Sequence, residues 1–331
     1  MALHDIHYRH WQGRHQGIWH RRAVITGAGL RACLQNKWTR YLLGLCWLVG
    51  LVYVAVLFAV GQLLVADSII VKWAANLNEE LKIFVHGLTA WLEQHPEISV
   101  RVAENLLFYR FATLLAPAGL IAVALTIPHL ITRDLGSNAI IVYASKAITR
   151  FDYVLGKAGI VLGMLTLTWL GPVLAAWLVG NLMAPNWNFF WHSRLALLNT
   201  LAYVGLAMVF LTVLGLGVSA VSSREKATVG LYVVLWLVGN TLVPLGAMTR
   251  PWLQQLSFQY DLQQFALRIF KPENDLTIAR ENIPILGNLL AGMTRRDLSP
   301  WQRRDTQTTW PALAAFATLA AGVVIVRTKP E

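Results

Sequence analysis

Five stretches of this chain are long and apolar enough to cross a bilayer: residues 41–65, 111–131, 155–179, 195–221 and 228–248. A shorter sixth lies at 310–326. Crossing about 30 Å of hydrocarbon takes roughly 20 apolar residues as an α-helix, the one single-segment structure that satisfies its own backbone hydrogen bonds without water. The pattern predicts an all-α polytopic membrane protein with about six transmembrane helices, an interfacial N-terminal helix within residues 1–40, and extracytoplasmic helical segments. Composition agrees. Hydrophobic residues make up 56% of the chain, charged residues 14%, and the mean hydropathy is +0.50, which leaves too little polar side chain to cover a soluble domain of this size.

The net charge of +11 does not read as a nucleic-acid surface, because Lys and Arg gather at the ends of apolar stretches instead of forming one stripe. Positive-inside topology accounts for them. With the N-terminus in the cytoplasm, residues 1–40, 132–157, 222–227 and the tail carry fifteen basic and five acidic side chains, and the longer outer segments carry thirteen and twelve. Arg295, Arg296, Arg303 and Arg304 weaken the contrast, but charge density still predicts a multi-pass protein of the cell membrane with both termini cytoplasmic. Residues 132–154 then form a cytoplasmic loop, and residues 66–110 and 249–309 form external loops. The first apolar stretch follows a basic lead of forty residues with no small-residue cleavage site after it, so it reads as a retained span. Cys33 and Cys46, before and inside that span, read as inert packing residues.

Between the spans, several patterns predict local structure. Residues 22–40 mix Val24, Ile25, Leu30 and Leu34 with basic side chains, as in a helix along the inner headgroups or an ordinary basic flank. Ile70, Trp73, Leu77, Leu81, Phe84, Leu88 and Trp91 recur at helical spacing within residues 68–95, and residues 251–270 form a second amphipathic run. With the short apolar piece at 283–293, these runs predict a small external cap. Thr149 with Asp152, and Ser222 with Glu225, read as capping boxes. Gly159 with Gly163, and Gly215 with Ser219, read as close-packing faces. Pro117, Pro128, Pro172 and Pro244 mark either bends for a moving gate or packed kinks.

Catalytic signatures are missing from the sequence. No G-x-x-x-x-G-K-[ST], H-E-x-x-H or G-x-S-x-G occurs, so the chain reads as no enzyme and as holding no cofactor of its own. The spans are nearly free of charge, which argues against an ion-coupled carrier. Asn199 and Asn240 read as interhelical hydrogen bonders, and His129 and Lys157 as residues that snorkel to headgroups. His4, His7, His10, His15 and His20 stand among Trp11 and Trp19, the pattern of an interfacial tail more than of a metal site.

The most informative stretch is TRDLGSNAIIVYASKAITRFDYVLGK, residues 132–157. It is too polar to cross the membrane. Arg133, Lys146 and Arg150 alternate with Asp134 and Asp152 around an apolar ridge, Ile140 to Tyr143, suited either to a protein groove or to its own headgroups. The stretch resembles the first cytoplasmic loop of type-2 ABC exporter permeases, in which Arg-Asp-Leu, Ser-x-Ala, a Tyr and Thr-Arg-x-Asp-Tyr lead to Leu-Gly-Lys. The resemblance extends to Tyr8, Arg9, Trp11 and Gly13, to Gly29-Leu30-Arg31, and to the six-span order with a large last external loop. It departs from that pattern at Gly136 and Ala147.

This resemblance implies a permease subunit of an ATP-driven exporter, paired with a second permease and with two cytosolic ABC ATPase subunits that hold the ATP and Mg. It implies a coupling helix that touches the ATPase through Asp134, Leu135, Ser137, Tyr143, Ser145, Lys146, Thr149 and Arg150. Substrate contact would fall on the first, second and fifth spans. The low charge of the spans points to apolar or amphipathic cargo. Two other readings remain open at this level: a membrane scaffold or sensor that recruits a cytosolic partner, and an autonomous secondary carrier.

Overall fold

The computed structural model describes residues 17–63, 68, 72, 89, 95–137, 139, 149–184, 188–247, 251–282 and 309–328, and every statement below concerns these. They are helical, without strands. In chain order the helices are α1 (Ile18–Gln35), α2 (Lys37–Leu63), α3 (Pro96–Thr126), α4 (Ile131–Gly136), α5 (Arg150–Leu165), α6 (Gly171–Leu182), α7 (Asn188–Val221), α8 (Glu225–Ala247), α9 (Phe258–Phe270), α10 (Pro272–Asn282) and α11 (Thr309–Arg327). Short 3-10 turns cover Ile127–His129 and Pro251–Leu256, and a π turn, Thr166–Leu170, joins α5 to α6.

Five helical runs are long and apolar enough to cross a membrane: Lys37–Gln62, Val100–Gly136, Arg150–Leu182, Phe190–Val221 and Thr309–Arg327. This is the architecture of a membrane protein. Helix α8 covers the remaining expected stretch with 23 residues. The second run starts well before residue 111, so part of the expected external loop is helix. Of the amphipathic run expected over residues 68–95 only four residues are described, and the piece at 283–293 lies outside the described residues.

Helix α7 is the centre. In its most apolar stretch 72% of the residues are buried, against 17% in α2, and it packs against α3, α5, α9 and α11. Gly217 makes the contact with α11 possible, since a Cβ there would stand 2.7 Å from Ala320 Cα. Gly215 faces Val123 of α3.

Helices α1 and α2 run in the same direction as α5 and α6 along a seam of small residues. Ile25 and Thr26 sit against Gly156 and Gly159, Leu30 lies by Gly163, Gly50 faces Pro172 and Leu57 meets Gly180. The Thr26 hydroxyl donates to the Gly156 carbonyl at 3.0 Å, and the Trp47 indole donates to the Leu167 carbonyl at 3.0 Å. Helix α1 therefore docks on α5. It ends at Asn36, whose side-chain oxygen accepts from the Trp38 N–H and so starts α2. Two prolines behave differently from one another. Pro117 lies inside α3 without breaking it, whereas the turn before Pro172 widens to a π turn in which the Gly171 N–H reaches the Thr166 carbonyl.

The first part of the segment expected to form an external cap packs against the bundle. Phe258 of α9 packs on Phe210 and Phe316, with ring centroids 6.2 and 6.5 Å away. Gln259 accepts from the Trp236 indole and the Asn240 amide, both at 2.5 Å, which makes Asn240 the interhelical bonder expected of it. Asn199 is another, donating at 2.9 Å to Asn105. The Asn105 amide donates in turn to the Phe270 carbonyl at 2.7 Å and to Asp275. Helix α9 ends at Lys271, a left-handed residue with φ 48°.

Two carboxyls in this region are enclosed. Glu104 of α3 and Asp261 of α9 are fully buried; the Ser193 hydroxyl lies beside Glu104, and among the described residues Asp261 has no hydrogen-bond partner. The expectation of nearly uncharged spans missed Glu104, because residues 66–110 read as a loop. Burial pushes the Asp261 carboxyl up to about 8.

Two outcomes follow from this packing. Replacing Gly159 with Leu forces α1 off α5, and thermal unfolding of the purified protein should show a loss of about 1–3 kcal/mol. Asp261 is protonated when folded and ionised when unfolded between roughly pH 4 and 8, so folding takes up a proton there. Stability should therefore fall as pH rises through that window and level off above it, and Asp261→Asn should flatten the profile.

Candidate functional site

The region around residues 127–157 is built on a break in a helix. Pro128 has no N–H and restricts the residue before it, so α3 tightens into the turn Ile127–His129 and the chain swings through Leu130 (φ −88°, ψ −125°) into α4. Such an end leaves backbone carbonyls without helical partners. Lys157 of α5 reaches the carbonyls on either side of this swing, its Nζ donating to the Leu130 carbonyl at 2.9 Å and to the His129 carbonyl at 3.3 Å. The same Nζ lies 2.7 Å from Asp134 Oδ2, and the Tyr153 hydroxyl donates to that oxygen at 2.6 Å. Tyr153 and Lys157 stand one turn apart on α5, so one face of that helix grips α4.

Two further ties surround this grip. The Thr132 hydroxyl donates to the Ser219 carbonyl at 2.8 Å, near the end of α7, and lies 3.4 Å from the Thr228 hydroxyl in the first turn of α8. The Thr149 hydroxyl caps α5, accepting from the Asp152 N–H at 3.2 Å and donating to the Asp152 carboxylate at 2.6 Å. Asp152 also pairs with Arg22 of α1, 2.5 Å from Nη2 and 2.7 Å from Nε. Arg22 in turn lies over the Trp19 and Phe151 rings at 4.8 and 5.8 Å. The first expected capping box is thus present, and its acid is shared with the N-terminal helix. At the second, the Ser222 hydroxyl accepts from the Arg224 N–H.

A cavity of about 410 Å³ opens between α3 and α8 at the same end of the bundle. Asn36, His129 and Glu225 supply its polar rim, and side chains such as Leu120, Leu125 and Trp236 its apolar wall.

The residues expected to touch a partner fall into three groups. Ser137, Thr149 and Arg150 are exposed and Leu135 is half-buried. Asp134 is turned inward, 8% exposed, with its carboxylate held by Lys157 and Tyr153. Tyr143, Ser145 and Lys146, with the whole apolar ridge, lie outside the described residues. Lys157 does not snorkel to headgroups as expected; it is buried and neutralises Asp134. Sequence reasoning missed Tyr153, Lys157, Thr132 and Arg22 as partners. The signal that was available is a Tyr-x-x-x-Lys pair opening a span just after a proline-broken one.

Replacing Lys157 with Met strands the Asp134 charge and uncaps two carbonyls, at an expected cost of about 3–5 kcal/mol in thermal unfolding. Adding Asp134→Asn should recover part of that loss, because the two side chains form one unit. No protein-family model and no curated protein sequence matches this chain.

Proposed function

We propose that the chain is the permease subunit of an ATP-driven exporter of the type-2 ABC class. In this reading α2, α3, α5–α6, α7, α8 and α11 are six spans, both termini are cytoplasmic, and residues 132–154 form the surface that meets a separate ATPase subunit. The observation that carries it is the junction beneath that loop. A push on α4 reaches α5 through Asp134 and Lys157, reaches α7 and α8 through Thr132, and reaches α1 through Asp152 and Arg22. A loop that only filled space between two spans would not need ties to four helices.

Leu135, Ser137, Tyr143, Ser145, Lys146, Thr149 and Arg150 make the partner contact, and Asp134 supports it from beneath. ATP and Mg reside on the partner. The cavity between α3 and α8, with a polar rim on the loop side and apolar walls, suits amphipathic cargo entering between the second and fifth spans. Closure of two ATPases would move both loops, and the spans of two permeases would part to open the path.

The test is co-purification with candidate ABC ATPases, using the wild type, Arg150→Glu and Ser137→Lys. Both substitutions are on exposed side chains and leave the junction intact. Loop-dependent capture of an ATPase, weakened about tenfold or more in the variants, is the expected result. Capture of a partner without ATPase activity would favour the scaffold reading, and capture of nothing would remove the basis for coupling.

A further inference from the structure

The elbow between α1 and α2 carries a surface that the coupling role does not use. Arg31, Lys37 and Arg40 are all exposed there, and residues 17–63 contain no Asp or Glu at all. Arg22, farther back on α1, finds its acid on α5. Aromatic rings accompany the free cations. Trp38 is 73% and Tyr41 71% exposed, their rings meeting edge to face with centroids 6.5 Å apart, and Trp19 is exposed farther back on α1.

The depth of this surface follows from α2. A span that begins at Lys37 places its first turn at the boundary between hydrocarbon and water, the level at which Trp and Tyr side chains rest. On α1, Val24, Ala28, Arg31 and Gln35 form one exposed stripe at helical spacing, continuous in sequence with the elbow. Three exposed cations at headgroup depth, none of them in a salt bridge among the described residues, meet their complement in a phosphate-bearing surface. Each basic side chain so placed adds about 1 kcal/mol of attraction to an anionic leaflet.

We propose that the Arg31–Tyr41 elbow is a docking surface for anionic phospholipid headgroups, in which Arg31, Lys37 and Arg40 hold the phosphates and Trp38 and Tyr41 set the depth. Lipid held there braces the start of α2 at the point where Asn36 interrupts the helix. The surface acts on the full chain alone, without the ATPase or cargo, so its success or failure is independent of the exporter reading.

The test is lipid retention by the purified full-length chain from micelles of equal phosphatidylglycerol and phosphatidylcholine, read by native mass spectrometry. The wild type should retain the anionic lipid in excess, and the excess should vanish near 1 M salt, where the screening length drops to about 3 Å. Arg31→Gln, Lys37→Gln and Arg40→Gln together should bring the ratio close to one. Lys37→Gln alone, the fallback if the triple variant fails to fold, should lower it about fivefold. Arg224→Gln with Lys226→Gln removes two exposed cations elsewhere and should leave the preference unchanged. Any of three results overturns the proposal: no preference in the wild type, a preference that survives the elbow substitutions, or an equal fall in the Arg224 and Lys226 variant.

Discussion

The break after Pro128 turns two backbone carbonyls, those of His129 and Leu130, toward α5 in a buried place where a polar group needs a partner. Lys157 answers both, and by doing so brings a positive charge into a buried place where it must be neutralised. Asp134 supplies the counter-charge, Tyr153 fills a further acceptor site of that carboxylate, and both sit on elements that only this contact joins so tightly. The geometry of α4 depends on that one amine being where it is, while α1 docks on α5 through its own seam of small residues and the Arg22–Asp152 pair.

The two ends of the bundle meet their polar demands in different ways. At the loop end, charges are paired and shared among helices, so that no group moves without its partner. At the far end the ties run through amides, those of Asn105, Asn199 and Gln259, with Asn105 also holding the Asp275 carboxyl, while the Asp261 carboxyl is enclosed with no hydrogen bond among the described residues. Neutral amide contacts exchange partners at lower cost than buried ion pairs do.

What the sequence revealed followed its physics. Apolar length announced the helices, because hydrocarbon thickness admits no substitute for it, and the polar exceptions Asn199 and Asn240 announced themselves as bonders between helices. The Thr149 box and the Gly159 face were local signals read within a few residues. The inward turn of Asp134 was not legible, since an acid flanked by basic residues in a polar loop looks solvated until the carbonyls it helps to satisfy are known to exist. Glu104 was hidden because helix α3 extends well past the apolar stretch that announced it. The burial of α9 was hidden because its amphipathic pattern fits a surface helix equally well, and only the contacts of Phe258 and Gln259 decide between the two.

The shared direction of the first and third spans bears on how the molecule is made. Gly29 and Gly50 find their counterparts about 120 to 130 residues later, at Ile160 and Pro172, so the faces they shape stay open while the intervening chain is synthesised. Helix α2 is suited to wait, being apolar around most of its circumference and needing few protein neighbours to rest in lipid. Helix α1 is not, because Thr26 and Arg22 gain their partners only when α5 emerges. An order of assembly follows: helix α1 can settle on the bundle only after the third span is in place, whereas α2 can enter the bilayer before it.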